Sequence, residues 1–251
     1  MSDSEIPSII TRPFPNAVTY DLSTPNQVTI TLPLKSIWSS GLHWHETHTE
    51  YLRLVKGKIR VRLGDETSII HASPQAIEIR IDRKVWHEWS RVPPDNEDGS
   101  GEEDDEDVVV IERTDPADGA KAIFFWNLNG VILKAQRSVK PSLLPPWLFG
   151  VLMECWVTLN LFTIFATLDN VPVLLGVRDG MLKRRRSSVV AVHSWTDWLL
   201  MWVEWTWAHA TLKVALTVAR LVGAEPVSKE FTPLREYNDW MALNRDKKKG
   251  L

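Results

Sequence analysis

The sequence predicts a mainly β chain, an antiparallel barrel in its first half, followed by an α-helical C-terminal region. Three observations predict it. Short segments that alternate apolar and polar residues recur at close spacing up to about residue 127, punctuated by Gly and Pro, the pattern of half-buried antiparallel strands. The run Gly41-Leu-His-Trp-His-Glu-Thr-His-Thr-Glu50-Tyr-Leu-Arg-Leu-Val-Lys-Gly57 sets His43, His45, His48, Glu46 and Glu50 ahead of a strand and a turn. At Pro141-Ser-Leu-Leu-Pro-Pro146 the alternation ends and long apolar stretches begin.

A chain of 251 residues has room for one large domain or a barrel with an appendage. A charged fraction of 24% and a formal charge of -3 describe an ordinary globular composition with no nucleic-acid footprint. The single cysteine, Cys155, excludes an intrachain disulfide, so nothing here calls for an oxidising compartment. The opening Met1-Ser-Asp-Ser-Glu-Ile-Pro7 lacks the basic and apolar regions of a secretory signal. The expectation is a chain that is not secreted, cytoplasmic or held at a membrane with its barrel in the cytosol.

Taken in order, residues 1–26 carry Pro7, Pro13, Pro15 and Pro25 between short apolar pieces and read as an N-terminal arm along a barrel edge. The barrel spans 27–140. Gln27 to Leu32 alternates and is its first strand. Further strands are expected at Gly41 to His45, Glu50 to Val55, Lys58 to Leu63, Ser68 to His71, Ala76 to Ile81, Val85 to Ser90, Val108 to Arg113 and Ala122 to Asn127. The acidic, Gly/Ser-bearing run Asp95 to Asp107 has no apolar residue to bury, and is expected to be a disordered, solvated insertion.

His43 and His45 are two residues apart, so on an extended chain both imidazoles point to one face. Glu50, Leu52 and Leu54 share a strand face, and Gly57 supplies the tight turn into the next strand. This stretch resembles the first motif of the cupin superfamily: His-x-His, four residues, Glu, six residues, Gly, matched by His43, His45, Glu50 and Gly57. Ile81-Asp-Arg-Lys-Val-Trp-His87-Glu-Trp89 is similar to the second motif, keeping its histidine at His87 but showing Asp82 and Lys84 where the family has Pro and Gly. The family's leading glycine is replaced by Ile37.

The resemblance covers roughly residues 27–130. It implies an antiparallel cupin barrel of the jelly-roll, double-stranded β-helix kind. It implies one divalent metal held by His43, His45, Glu50 and His87. That donor set suits Fe(II) or Mn(II), with Zn or Ni as alternatives, and leaves coordination positions for water, oxygen or substrate. His48 and Glu46 are rival ligands and candidate proton carriers. Trp38, Trp89 and Trp126 are candidates for an apolar pocket wall.

Residues 141–251 form the hydrophobic helical region and tail. Trp147 to Leu168 is about the length that crosses a bilayer as a helix, with Glu154 and Asn160 as its strongly polar members. In Trp195 to Gly223, Trp195, Trp198, Trp202 and Trp205 make one helical stripe, continued by His209 and Leu212. The pair reads as a transmembrane hairpin, an interfacial anchor, or an appendage packed on the barrel or a second subunit. Basic residues flank every connection: Lys134, Arg137 and Lys140 before, Arg178 and Lys183 to Arg186 between, Lys247 to Lys249 after. An anionic membrane surface contacted through 147–168 and 195–223 fits that distribution best. The tail from Ala224 is expected to wrap back onto the body, with Asn244 to Leu251 frayed.

The ligand set leans toward a metal-dependent oxidoreductase or dioxygenase acting on an apolar or aromatic small molecule, as in secondary-metabolite biosynthesis. The alternatives are a cupin isomerase, dehydratase or decarboxylase, and a non-catalytic ligand-binding cupin anchored by its helices. The family's habit of pairing implies a homodimer.

Overall fold

The computed structural model describes residues 6–75, 78–93, 106–137, 145–176 and 195–249. The acidic run at 95–105 and the basic residues Lys140, Arg178 and Lys183 to Arg186 lie outside them.

Eleven strands among the described residues form two antiparallel sheets. They are β1 (Ile9–Arg12), β2 (Val18–Asp21), β3 (Gln27–Leu32), β4 (His43–Trp44), β5 (Thr49–Lys56), β6 (Lys58–Leu63), β7 (Glu66–His71), β8 (Glu78–Ile81), β9 (His87–Arg91), β10 (Val108–Asp115) and β11 (Val171–Pro172). One sheet runs β1-β2-β3-β10-β5-β8 and the other β11-β4-β9-β6-β7. The two stretches of arm at Ile9–Arg12 and Val18–Asp21 thus extend the first sheet.

Alternation decides which side chains face in. Val28, Ile30 and Leu32 of β3, Leu52 and Leu54 of β5, Ile59 and Val61 of β6, and Val108 and Val110 of β10 are buried in one core, as a period of two along a half-buried strand requires. The β5–β6 hairpin turns at Gly57, with φ +83°. A Cβ there would lie 2.9 Å from Val108 Cγ2 and 3.2 Å from the Asp107 carbonyl oxygen, so both backbone and space demand glycine.

Four helices are described: α1 (Ala120–Arg137), α2 (Pro146–Thr167), α3 (Trp195–Val222) and α4 (Leu234–Lys249). Helix α1 corrects the strand expected at Ala122 to Asn127. Asp118 Oδ1 accepts the Ala120 amide hydrogen at its start, and the helix runs for 18 residues with Ile123, Phe125, Trp126, Asn127 and Asn129 buried. Helices α2 and α3 fall where the apolar stretches predict them. The segment read as a frayed tail is instead the helix α4 through Lys249.

The C-terminal half joins the barrel directly. Trp44 and Trp86 of the barrel pack with Val171, Ala208 and Leu212, and partly buried Phe162 and Phe165 lean on the same cluster. Strand β11 pairs with β4, placing Val171 opposite Trp44 and Pro172 opposite His43. Buried Glu204 of α3 accepts the backbone N–H groups of Leu174, Leu175 and Gly176, fixing the chain that leaves β11.

Candidate metal centre

Strand register assembles the centre. His43 on β4 lies directly opposite His87 on β9, His45 follows in the turn after β4, and Glu50 faces inward from β5. One donor atom from each of the four buried residues lies within 4.8 Å of every other. Donors about 2.1 Å from a metal stand at most about 4.2 Å apart, so the set needs only a slight contraction to hold an ion.

The outer hydrogen bonds orient these rings. His43 Nδ1 meets the Gly41 carbonyl at 2.7 Å, His87 Nδ1 meets the Val85 carbonyl at 2.9 Å, and His45 Nδ1 meets the Asp169 carbonyl. A carbonyl only accepts, so each Nδ1 carries a hydrogen and each Nε2 is turned to the centre. His87 Nε2 is buried and has no hydrogen-bond partner among the described residues, as befits a donor reserved for a metal. Burial, together with neighbouring His87 and His45, holds His43 well below the usual imidazole range, and burial pushes His87 down to about 4. Both are neutral near pH 7, the form that ligates.

Glu50 supplies the charge. His45 Nε2 lies 2.9 Å from its Oε2, and His87 Nε2 lies 3.8 Å from its Oε1. Burial works to raise the Glu50 carboxyl, but Lys121 and the two histidines carry it well below the carboxylate range. Lys121 Nζ donates to Glu50 Oε2 at 2.6 Å and to Glu112 Oε2 at 2.7 Å, and Glu112 also accepts from Trp89 Nε1 at 2.7 Å. Burial and the nearby Glu50 push Glu112 up, against the pull of Lys121.

A cavity of about 450 Å³ opens beside the centre. Polar His43, His45, His48, Glu112 and Lys121 line it together with apolar Phe124, Phe125, Leu128, Leu161 and Phe165 of α1 and α2. A carboxylate and imidazoles together with apolar and aromatic side chains suit an amphipathic small molecule.

The other sequence-predicted residues separate. His48 borders the cavity, with Nδ1 2.7 Å from Asp169 and Nε2 3.4 Å from Asp118; those hydrogen bonds raise it to about 9, so it stands there as a cation. Glu46 accepts from Trp44 Nε1 and Trp205 Nε1 at 2.9 and 2.8 Å and faces His209, which makes it a clasp between barrel and α3. Trp38 lines the cavity and donates to the Tyr20 hydroxyl at 3.0 Å. Trp89 sits behind Glu112, and Trp126 donates to the Pro7 carbonyl at 3.1 Å. Sequence reasoning missed Lys121, Glu112, Asp118 and Asp169. Only Glu112 carried a local signal, a charge at an inward position of an apolar alternating strand.

Two antiparallel sheets closed over a buried set of three histidines and a glutamate define the class: this is a cupin-fold protein. No family model matches the chain, and no curated protein does. Among solved structures it is similar to a predicted oxalate decarboxylase from Thermotoga maritima, at 16% identity over 45% of this chain and 95% of that one, with a TM-score of 0.32. It is similar to the capsular polysaccharide assembling protein CapF from Staphylococcus aureus, at 20% identity over 45% of this chain and a TM-score of 0.31; the match spans only 29% of that longer chain. A third is KdgF from Halomonas sp., at 16% identity over 42% of this chain and 84% of that one, with a TM-score of 0.30. The cupin fold is read here from the strand order and the quartet.

Proposed function

We propose that the protein is a metal-dependent cupin oxidoreductase, of dioxygenase type, acting on an apolar or aromatic small molecule. The observation that carries this reading is the cavity, lined by His43 and His45 of the quartet together with Phe124, Phe125, Leu128, Leu161 and Phe165. When bound, Fe(II) or Mn(II) supplies Lewis acidity and redox chemistry there. The chain's own residues do the rest. His43, His45 and His87 offer Nε2 lone pairs, and Glu50 lowers the net charge. The aromatic wall excludes water and holds the apolar part of the substrate, while the His48 cation at the edge attracts a phenolate or enolate oxygen.

Elemental analysis of the purified chain tests this, set against a His43→Ala/His45→Ala variant and followed by oxygen uptake with phenolic or enolic compounds. Near-stoichiometric iron or manganese, lost in the variant, with oxygen consumed, is the expected result. Protein that retains no metal even after loading sinks the reading. A second reading, isomerisation, dehydration or decarboxylation, is favoured by the Glu112–Lys121 pair, which holds a proton at the cavity wall. Turnover without oxygen consumption selects it.

The same proposal places the chain at an anionic membrane surface through α2 and α3. Helix α2 is long and apolar enough to cross a bilayer, and little of it is buried. Both helices contribute to the cavity or its supporting cluster, so a lipid-soluble substrate would reach the site along them.

A further inference from the structure

Helix α2 ends in a way that reaches the metal loop. Leu168 is its C-cap, and Asp169 beyond it adopts φ +55°, the left-handed conformation that Gly, Asn and Asp tolerate best. The Asn170 amide then closes onto the Phe165 carbonyl at 3.1 Å, completing a Schellman turn. Glycine or asparagine would end the helix equally well. The carboxylate therefore has another task.

That task is visible in its acceptors. Asp169 Oδ1 takes the Glu46 amide at 2.8 Å, and Oδ2 takes the Thr47 amide at 2.9 Å, the Thr47 hydroxyl at 2.7 Å, the His48 amide at 3.0 Å and His48 Nδ1 at 2.7 Å. Residues 46–48 are the link between the ligands His45 and Glu50. The Asp169 main-chain carbonyl meanwhile accepts from Nδ1 of His45 itself. One residue of the C-terminal half thus grips the ligand loop by its amides and one ligand ring by its imidazole, from 121 or more positions away in sequence.

We propose that Asp169 is a positioning residue of the metal centre, and that the site is completed by the helical half of the chain rather than by the barrel alone. The proposal rests on the reading of the quartet as a metal centre. Hydrogen bonds behind metal ligands are typically worth a factor of about 10 to 100 in metal affinity, and this residue makes one to the ligand His45 and five more to the link between His45 and Glu50.

The test uses the full chain, stripped of metal and titrated with Co(II) against a competing chelator, reading both affinity and the visible ligand-field bands. Asp169→Ala is expected to bind about 10 to 100 times more weakly, with altered bands because the link between His45 and Glu50 loses the carboxylate that holds its amides, the Thr47 hydroxyl and His48. Asp169→Asn, which keeps the left-handed turn and one acceptor oxygen, is expected to fall between the two. If Asp169→Ala does not fold, Thr47→Val, which removes only one of the hydrogen bonds, is expected to weaken binding a few-fold. Wild-type affinity and bands in the folded variants overturn the proposal alone. Wild-type protein that holds no Co(II) overturns the metal-centre reading and the proposal with it.

Discussion

Single residues set the charge state of this site, and their environments pull in opposite directions. His87 is buried and neutral, its folded pKa near 4 against about 6.5 unfolded. As pH falls from 6.5 towards 4 the unfolded chain takes up a proton that the folded chain refuses. Stability is therefore lost on the acid side, on the order of 3 kcal/mol from this one ring. His48 behaves inversely. Asp118 and Asp169 raise it to about 9, so the stability it contributes is fully present below pH 6.5 and is lost as pH rises through 9. The metal-free protein is expected to be most stable near pH 6.5 with respect to these two groups. Denaturant unfolding of chelated protein across pH 4 to 9 measures this, and His48→Gln should flatten the alkaline limb. A level profile over that range contradicts both assignments.

Among the elements, what was legible depended on period and on distance in sequence. The strands announced themselves because each shows one face to a core and the other to water, as Val28, Ile30 and Leu32 do on β3. The quartet was legible for the same reason: three of its members stand within eight residues of one another and the fourth is a histidine in a strand of the same pattern. Helix α1 was not. Ala122-Ile-Phe-Phe-Trp-Asn127 is a short aromatic run, and a short apolar run does not separate a buried helix from a buried strand. Lys121 went with it, since a helix start and a strand start aim that side chain differently. Asp169 and Asp118 act on residues far away in sequence, which no local spacing records. The packing of α1 gives a test with two competing magnitudes. Gly130 lies mid-helix, where alanine would gain about 1 kcal/mol in propensity. A Cβ there would stand 2.2 Å from the Phe231 ring of the returning tail, and overpacking costs about 1–3 kcal/mol. Gly130→Ala is expected to destabilise by up to about 2 kcal/mol, with Phe231→Leu in the same chain relieving it. Thermal melting of the two variants decides it; an unchanged or raised melting temperature in Gly130→Ala would mean that the tail is not seated there.

Across the whole molecule, the two long helices are bare at their N-terminal ends and sink into the body further along. Helix α2 sinks Thr163 and Ile164 into the body and α3 sinks Glu204, Ala208 and Leu212, while Trp147 is 71% exposed, Trp195 76% and Trp198 69%. The tryptophan stripe read from the sequence is therefore split. Trp205 is tied to Glu46, and Trp195, Trp198 and Trp202 face outward. Tryptophan is the side chain best suited to the boundary between water and lipid, and the basic residues flanking these helices in sequence favour an anionic surface. On the proposed membrane reading, the chain should float with vesicles containing anionic phospholipid, its tryptophan emission shifting to the blue, and added salt should weaken the association. Burying one large apolar side chain is worth about 1.5–3 kcal/mol, and 1.4 kcal/mol is a factor of ten. Trp195→Glu/Trp198→Glu/Trp202→Glu should accordingly bind at least about tenfold more weakly, while the distant metal quartet keeps its affinity. If vesicles leave the protein behind and it instead self-associates with rising concentration, loss of self-association in the triple variant assigns the bare helix ends to a second copy of the chain rather than to lipid.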